Sequence, residues 1–332
     1  TREVAPSRTT KRTNQSVSEP TTPSAGSPFV SLLRWIDNER FNLQQQIPQD
    51  YKVDWLRCIP FFFMHFACLL VFLVGWSWTA IAVCVFLYFF RMFAITGFYH
   101  RYFSHRTYET SRVFQFLIGF LGAGAAQKGP LWWAAHHRIH HKNSDRPDDV
   151  HSPVQSGFFW SHMGWILSRE NFPTKHEVIQ DFSKYPEIRW LDRHYVIPPF
   201  LLALFLFLMG FTLQKWVPNL GVTPLQLLAW GFFVSTTVLY HITFSINSLG
   251  HLWGKRRFDT NDASRNNVWL AFLTMGEGWH NNHHRFPQSE RQGFFWWEID
   301  LTHYTLRLLA ALGLVWRLQS PPKRLLDAPT TE

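Results

Sequence analysis

No charged residue occurs between Arg57 and Arg91. The polar break Gly75-Trp76-Ser77-Trp78 divides this run into two apolar helices, about 58–75 and 78–98. Each is long enough to cross a bilayer, and the joint between them is too short to hold anything but a hairpin turn. The second helix must accommodate Arg91, which is expected to snorkel, and it runs on toward His100. Two further spans follow, about 195–214 and 224–246, separated by a short segment holding Lys215, Pro218 and Pro224. The fourth meets no charge until Lys255, so it extends to carry Asn247 and His251. Residues 113–127 are apolar but short and broken by glycines, which suits an interfacial segment. Leu306 to Leu318 carries Arg307 and Arg317 and reads as an amphipathic stretch lying on the membrane.

The fold class expected is therefore an all-α integral membrane protein with four transmembrane helices. Residues 28–318 form its membrane domain, and the polar segments 99–194 and 247–318 form a histidine-rich cap on one side. Residues 1–27, rich in Ser, Thr and Pro, read as a disordered tail, and 319–332 as a C-terminal tail.

Composition supports the membrane reading. The chain has 17 Trp and 32 Phe among 332 residues, a content that suits interfacial aromatic belts. Its net charge of +9 comes without a nucleic-acid-reading motif, so the partner of that charge is anionic lipid. The connections opposite the cap hold almost no Lys or Arg, which by the positive-inside rule makes the cap side cytoplasmic. Cys58, Cys68 and Cys84 lie in apolar runs and form neither a disulfide frame nor a Cys-x-x-Cys site.

The candidate chemistry is concentrated in histidines. His137, His140 and His141 fall as H-x-x-H-H, and His280, His283 and His284 repeat that spacing. On a helix, positions i, i+3 and i+4 share a face, so three imidazoles there converge on a metal. A wider pair, His100 and His105, precedes both. Eight such histidines exceed the needs of one catalytic zinc, so two metals are the simpler account. No H-E-x-x-H protease signature is present. Glu277-Gly278-Trp279-His280 is a single E-x-x-H, where soluble di-iron bundles need two plus further glutamates. A haem protein would use one or two axial histidines only. What remains is a histidine-rich di-iron site (Fe2+/Fe3+) at a membrane surface, activating oxygen against an unactivated C–H bond of an acyl or alkyl chain. Two alternatives stay open: a membrane di-iron hydroxylase with the same histidines, and a histidine-rich metal transporter or sensor. The transporter would want ligands at mid-bilayer, whereas these lie at or beyond helix ends.

The segments His100-Arg101-Tyr102-Phe103-Ser104-His105, His137-Arg138-Ile139-His140-His141 and Gly276-Glu277-Gly278-Trp279-His280-Asn281-Asn282-His283-His284 resemble those of the integral-membrane fatty acyl desaturases, of the stearoyl-CoA (Δ9) type and its bacterial members. The resemblance covers about residues 55–318 and includes Gly157 to Trp165 and Asn247-Ser248-Leu249-Gly250-His251. It implies insertion of a cis double bond into a saturated long-chain acyl group. It also implies two irons held by nine histidines: His100, His105, His137, His140, His141, His251, His280, His283 and His284. Asn247 would hold a metal-bound water. Gln127, Trp133 and Thr243 match positions that shape the bend of the acyl tunnel. Lys128, Ala135 and His136 replace an asparagine, an arginine and an aspartate that touch the CoA headgroup in animal members. The carrier is therefore acyl-CoA, acyl-lipid or acyl carrier protein. Electrons come from a separate donor, cytochrome b5-like or ferredoxin.

Met92 and Tyr88 share the helix face of His100, about 12 and 18 Å from it at ~1.5 Å per residue, and are expected to close the methyl end of the tunnel. The other histidines carry lesser expectations. His65 and His241 should pack or bond to a neighbouring span, and His162 and Trp165 should line the cap. His151, with Asp148 and Asp149, should lie behind a ligand, and His176, His194 and His303 should be surface groups. His136 points off the ligand face of its helix.

Overall fold

The computed structural model of the chain describes residue 33, residues 35–39 and residues 52–326. The expected N-terminal tail, 1–27, lies outside the described residues. Four helices are long and apolar enough to cross a membrane: α1 (Trp55–Val74), α2 (Trp78–Ser104), α6 (Ile197–Trp216) and α7 (Pro224–Leu252). Between α2 and α6 lie α3 (Arg112–Ala123), α4 (Pro130–Asn143) and α5 (Pro186–Arg193); after α7 come α8 (Val268–Leu273), α9 (His280–Arg285) and α10 (Leu301–Ala311).

Local chemistry sets the helix ends. The Asp54 side chain accepts from Arg57 N at the start of α1, and Ser77 Oγ accepts from Ala80 N at the start of α2. The turn between them passes through Gly75, whose φ of 66° is left-handed and favours glycine. Thr223 and Gln226 close a reciprocal capping box at the start of α7. The two helix pairs differ in burial. Only 17% of the apolar window of α1 and of α6 is buried, against 50% for α2 and 61% for α7. α2 and α7 are thus the inner pair, and α1 and α6 present Phe63, Phe72, Phe200 and Phe205 to lipid. Exposed tryptophans mark both ends, Trp76, Trp78 and Trp216 away from the cap and Trp55 and Trp253 beside it.

Three details depart from the sequence reading. α2 reaches Ser104 rather than about residue 98, because its last part, Ala94–Ser104, winds as a π-helix with i→i+5 hydrogen bonds. Within 306–318, α10 ends at Ala311 and the chain becomes a short strand, β2 (Val315–Trp316), antiparallel to β1 (Glu109–Thr110). Of the residues expected as a C-terminal tail, 319–326 are described, and Leu325 among them is buried beside Phe258 and Phe294.

Arg91 does not snorkel. Its guanidinium is 1% exposed, donates to Thr236 Oγ1 at 2.6 Å and to Ser235 Oγ, and reaches the Leu87 carbonyl at 3.1 Å. Those hydroxyls stand on α7, so a cation that sequence reasoning sends to the interface instead joins the two inner helices. Arg91→Met should lower stability by about 1.5–3 kcal/mol, the range for hydrogen bonds to a charged group. Thermal unfolding in detergent should show the loss, with Arg91→Lys intermediate.

Candidate metal centre

Each histidine segment is brought into place by a different device. His100 and His105 are five residues apart, a spacing that diverges on an α-helix. The π winding of Ala94–Ser104, with His105 N donating to His100 O at 3.2 Å, returns residue i+5 to the face of residue i. The two imidazoles sit 4.9 Å apart, centroid to centroid. His137, His140 and His141 stand on α4. Its first turn is capped from outside the helix: buried Asp192 on α5 accepts from Leu131 N and Trp132 N, both at 2.9 Å. Gly129 is required there, since a Cβ would lie 2.2 Å from Asp192 Oδ1. The third segment, α9, is held through its asparagines. Asn281 Oδ1 accepts from Arg257 N and Phe258 N at 2.8 and 2.7 Å, and Asn282 Oδ1 accepts from Asn266 at 2.7 Å. His251 comes from the end of α7.

The nine histidines form two sets. The ligand nitrogens of His100, His105, His137, His141 and His283 lie within 4.8 Å of one another, and so do those of His140, His251, His280 and His284. The sets adjoin, with His141 and His284 stacked at 4.4 Å. Within them Nε2 faces Nε2: His100–His283 at 3.0 Å, His105–His137 at 2.8 Å, His141–His283 at 2.9 Å and His251–His280 at 3.1 Å. Adjacent ligands about 2.1 Å from one metal stand about 3.0 Å apart when they subtend a right angle at it, so this spacing fits a shared cation.

Tautomers support that fit. Carboxylates only accept, so an imidazole whose Nδ1 faces one carries its proton there and leaves Nε2 bare. This holds for His140 toward Asp149 (3.0 Å), His251 toward Asp145 (2.8 Å), His284 toward Asp262 (2.7 Å) and His100 toward Glu277. Burial, and then the neighbouring imidazoles, hold His105, His137, His141, His280 and His283 well below the usual histidine range. Burial likewise takes His284 down to about 4 against the pull of Asp262. Burial also pulls His140 down, but Asp149, with Asp145 and Asp262 behind it, raises it above the usual histidine range. Neutral imidazoles with inward lone pairs are what a divalent or trivalent metal requires.

Against this centre lies an apolar cavity of about 330 Å3, lined by residues of α1, α4, α6 and α7. Trp133 and His137 form its wall on the metal side, and Asn247, one turn before His251, also lines it. Gln127, Trp133 and Thr243 are joined there: Gln127 Nε2 donates to Thr243 Oγ1 at 3.1 Å, and Trp133 Nε1 reaches Gln127 Oε1 at 3.4 Å. Met92 and Tyr88 are not in this wall. Met92 is fully buried in the core cluster that also holds Leu239, and Tyr88 donates to the Leu273 carbonyl at 2.7 Å.

Of the other histidines, His65 and His241 are 3.0 Å apart across α1 and α7, and His162 joins His241 at 3.1 Å. His151 stacks on His140, and Asp149, not the exposed Asp148, is the carboxylate behind the ligand. His303 is tied to the buried Glu290 rather than free at the surface. His136 donates from Nδ1 to the Trp132 carbonyl, off the ligand face.

A profile of the family described as fatty acid desaturase matches residues 76–319. The chain belongs to this family. The desaturase is 35% identical over 278 residues to the sn-2 palmitoyl-lipid 9-desaturase of Nostoc sp. (strain 36), covering 82% of this chain and 92% of that one. It is 34% identical over 278 residues to the sn-1 stearoyl-lipid 9-desaturase of Anabaena variabilis, covering 82% and 96%. An acyl-CoA C20 Delta5-desaturase of Anemone leveillei is 36% identical over 249 residues, covering 74% and 75%. The desaturase is thus an oxidoreductase of this class, with histidine clusters able to bind metal and four candidate membrane-spanning helices.

Sequence reasoning anticipated Asp149 behind a ligand but missed Asp192, Asp145 and Asp262, and only the E-x-x-H spacing drew attention to Glu277. Asp192→Ala should uncap the histidine helix at a cost of about 1–2 kcal/mol, lowering the unfolding temperature in detergent, while Asp192→Asn keeps most of the stability.

Proposed function

We propose that this desaturase inserts a cis double bond at Δ9 of a C16 or C18 acyl chain carried by a membrane glycerolipid. In this reading two irons are held by His100, His105, His137, His141 and His283 on one side and by His140, His251, His280 and His284 on the other, with Asn247 holding a water beside the second set. The observation that carries it is the meeting of an acyl-sized cavity with converging imidazoles at Trp133 and His137. When bound, such irons use O2, two electrons and two protons to take one hydrogen from each of two adjacent methylenes, the oxygen leaving as water. The protein's residues bind and orient. The Gln127–Thr243 hydrogen bond and the Trp133 indole turn the chain beneath the metal face, and the apolar walls of α1 and α7 exclude water.

The lipid carrier is supported by where the cavity opens. Its lining includes Phe63 on α1 and Phe200 on α6, which are 58% and 66% exposed on the lipid-facing surface. A chain can therefore enter sideways from the bilayer. The polar end of the same cavity suits an ester head. Lys128 lies among Trp132, Phe172 and Tyr195 with one bond, to the Phe172 carbonyl at 3.3 Å. Trp165 Nε1 and His136 Nε2 line the cavity, buried and without hydrogen-bond partners among the described residues. The names of the Nostoc and Anabaena relatives, both lipid 9-desaturases, support carrier and position alike.

The cap faces the cytoplasm in this reading, in keeping with the sparse positive charge of the opposite turns. Electrons come from a separate cytochrome b5-like or ferredoxin donor. Lys142, Arg146 and Arg285, exposed and close in sequence to His141 and His284, favour an acidic partner.

Expression in a host lacking unsaturated fatty acids, followed by lipid analysis, tests this function. Δ9 monoenes esterified in membrane lipid are expected, together with two irons per purified chain. His283→Ala should abolish product and lower the iron content while the membrane fold survives, since spans are held by their own backbone bonds. Hydroxylated chains, or full turnover by His283→Ala, would overturn the reading.

Chain length is assigned to Met92, with Tyr88 one turn beyond it. The methyl half of the substrate must open space in the cluster that Met92 now fills. Met92→Ala should extend the accepted chain by about one or two methylenes and cost about 2–5 kcal/mol of stability. Competition among saturated chains of graded length checks this, and an unchanged profile removes Met92 from the tunnel.

A further inference from the structure

The two histidine sets are equal neither in ligands nor in what stands behind them. Behind the set of five, among the described residues, there is one carboxylate. Glu277 faces His100 Nδ1, and it is shared with the buried Arg101 guanidinium, whose Nη2 lies 3.1 Å from Glu277 Oε1. Arg101 directly compensates Glu277 but is shared with Asp300 at 3.0 Å, so this side keeps one net negative charge against three on the other. Behind the set of four stand three carboxylates: Asp149 on His140, Asp145 on His251 and Asp262 on His284. Their remaining partners are neutral. Asp149 accepts from the backbone N–H of Asp145 and of His151, Asp145 from Ser152 Oγ and Ala263 N, and Asp262 from Ser264 N and Oγ. No lysine or arginine of the described residues lies within 4.0 Å of these three.

Two consequences act in the same direction. Uncompensated negative charge in a poorly solvated site favours the more highly charged ion nearby. An imidazole whose Nδ1–H is bonded to a carboxylate is also a stronger donor through Nε2. Three of four ligands on one side have this, and one of five on the other.

We propose that the carboxylates Asp145, Asp149 and Asp262 set a valence order within the centre: the four-histidine site keeps the ferric ion, and the first electron to enter settles at the five-histidine site. This rests on the di-iron reading above. The electron count is simple: one electron converts one Fe3+ of an oxidised pair to Fe2+, and a second converts the other. In this order the three aspartates hold the two reduction steps apart.

The test is a redox titration of the purified, iron-loaded desaturase with a one-electron reductant, following the mixed-valence pair by electron paramagnetic resonance and by Mössbauer spectroscopy. The wild type should show a trapped pair, one ferric and one ferrous site; a valence-averaged pair would overturn the proposal without any variant. Asp149→Asn and Asp262→Asn keep a hydrogen-bond acceptor but remove a charge. Each should lower the maximal mixed-valence yield about twofold or more, as the two steps draw together. Glu277→Gln removes a charge from the other side and should leave that yield unchanged or raise it. Equal loss in all three variants would mark a purely structural role and overturn the proposal. If one aspartate variant fails to take up iron, Asp145→Asn carries the same comparison. Iron content separates the two readings: two irons per chain with no asymmetry sinks the valence order alone, whereas a chain that takes up no iron pair sinks the di-iron reading.

Discussion

Facing imidazole nitrogens at about 3 Å need a proton or a metal cation between their lone pairs, and this chain holds nine such rings in two adjoining sets. Much of the cap is arranged to keep them there. Asp192 closes the first turn of α4, Asn281 and Asn282 pin the loops around α9, and Arg101 with Glu277 and Asp300 braces the region behind His100. None of these groups touches the cavity, yet each fixes an angle at which a ring presents its nitrogen. A centre built this way has its rings oriented by groups outside it, an arrangement that lowers the reorganisation a metal would require.

The spans, the cap and the histidine segments were legible because apolar runs and i, i+3, i+4 spacings are local signals. The positions of long-range partners were not. Arg91 belongs to Ser235 and Thr236, far along the chain, and nothing near it in sequence announces those hydroxyls. Asp145 and Asp262 look like ordinary loop acids until the fold sets His251 and His284 against them, whereas Asp149 was legible beside His151, though not that it meets His140. Glu277 carried a local signal, the E-x-x-H spacing, but it stands behind His100 through a hydrogen bond. The His100–His105 pair was noticed by residue type while its geometry was hidden, since a period of five suits no α-helix.

The cavity divides the labour between apolar and polar groups. Phenylalanines from α1 and α7 supply an apolar wall, and most of the polar side chains in it are bonded to one another or to backbone carbonyls. Met92 and Leu239 are packed just as tightly as any core residue.

The π winding of Ala94–Ser104 also bears on how this site tolerates change over time. A π turn is an α-helical turn that has absorbed one residue too many. Side chains between His100 and His105 can drift as long as packing allows. A codon gained or lost there would swing one imidazole out of the centre while leaving every histidine in the sequence. The length of this stretch, more than its composition, is what inheritance has to preserve.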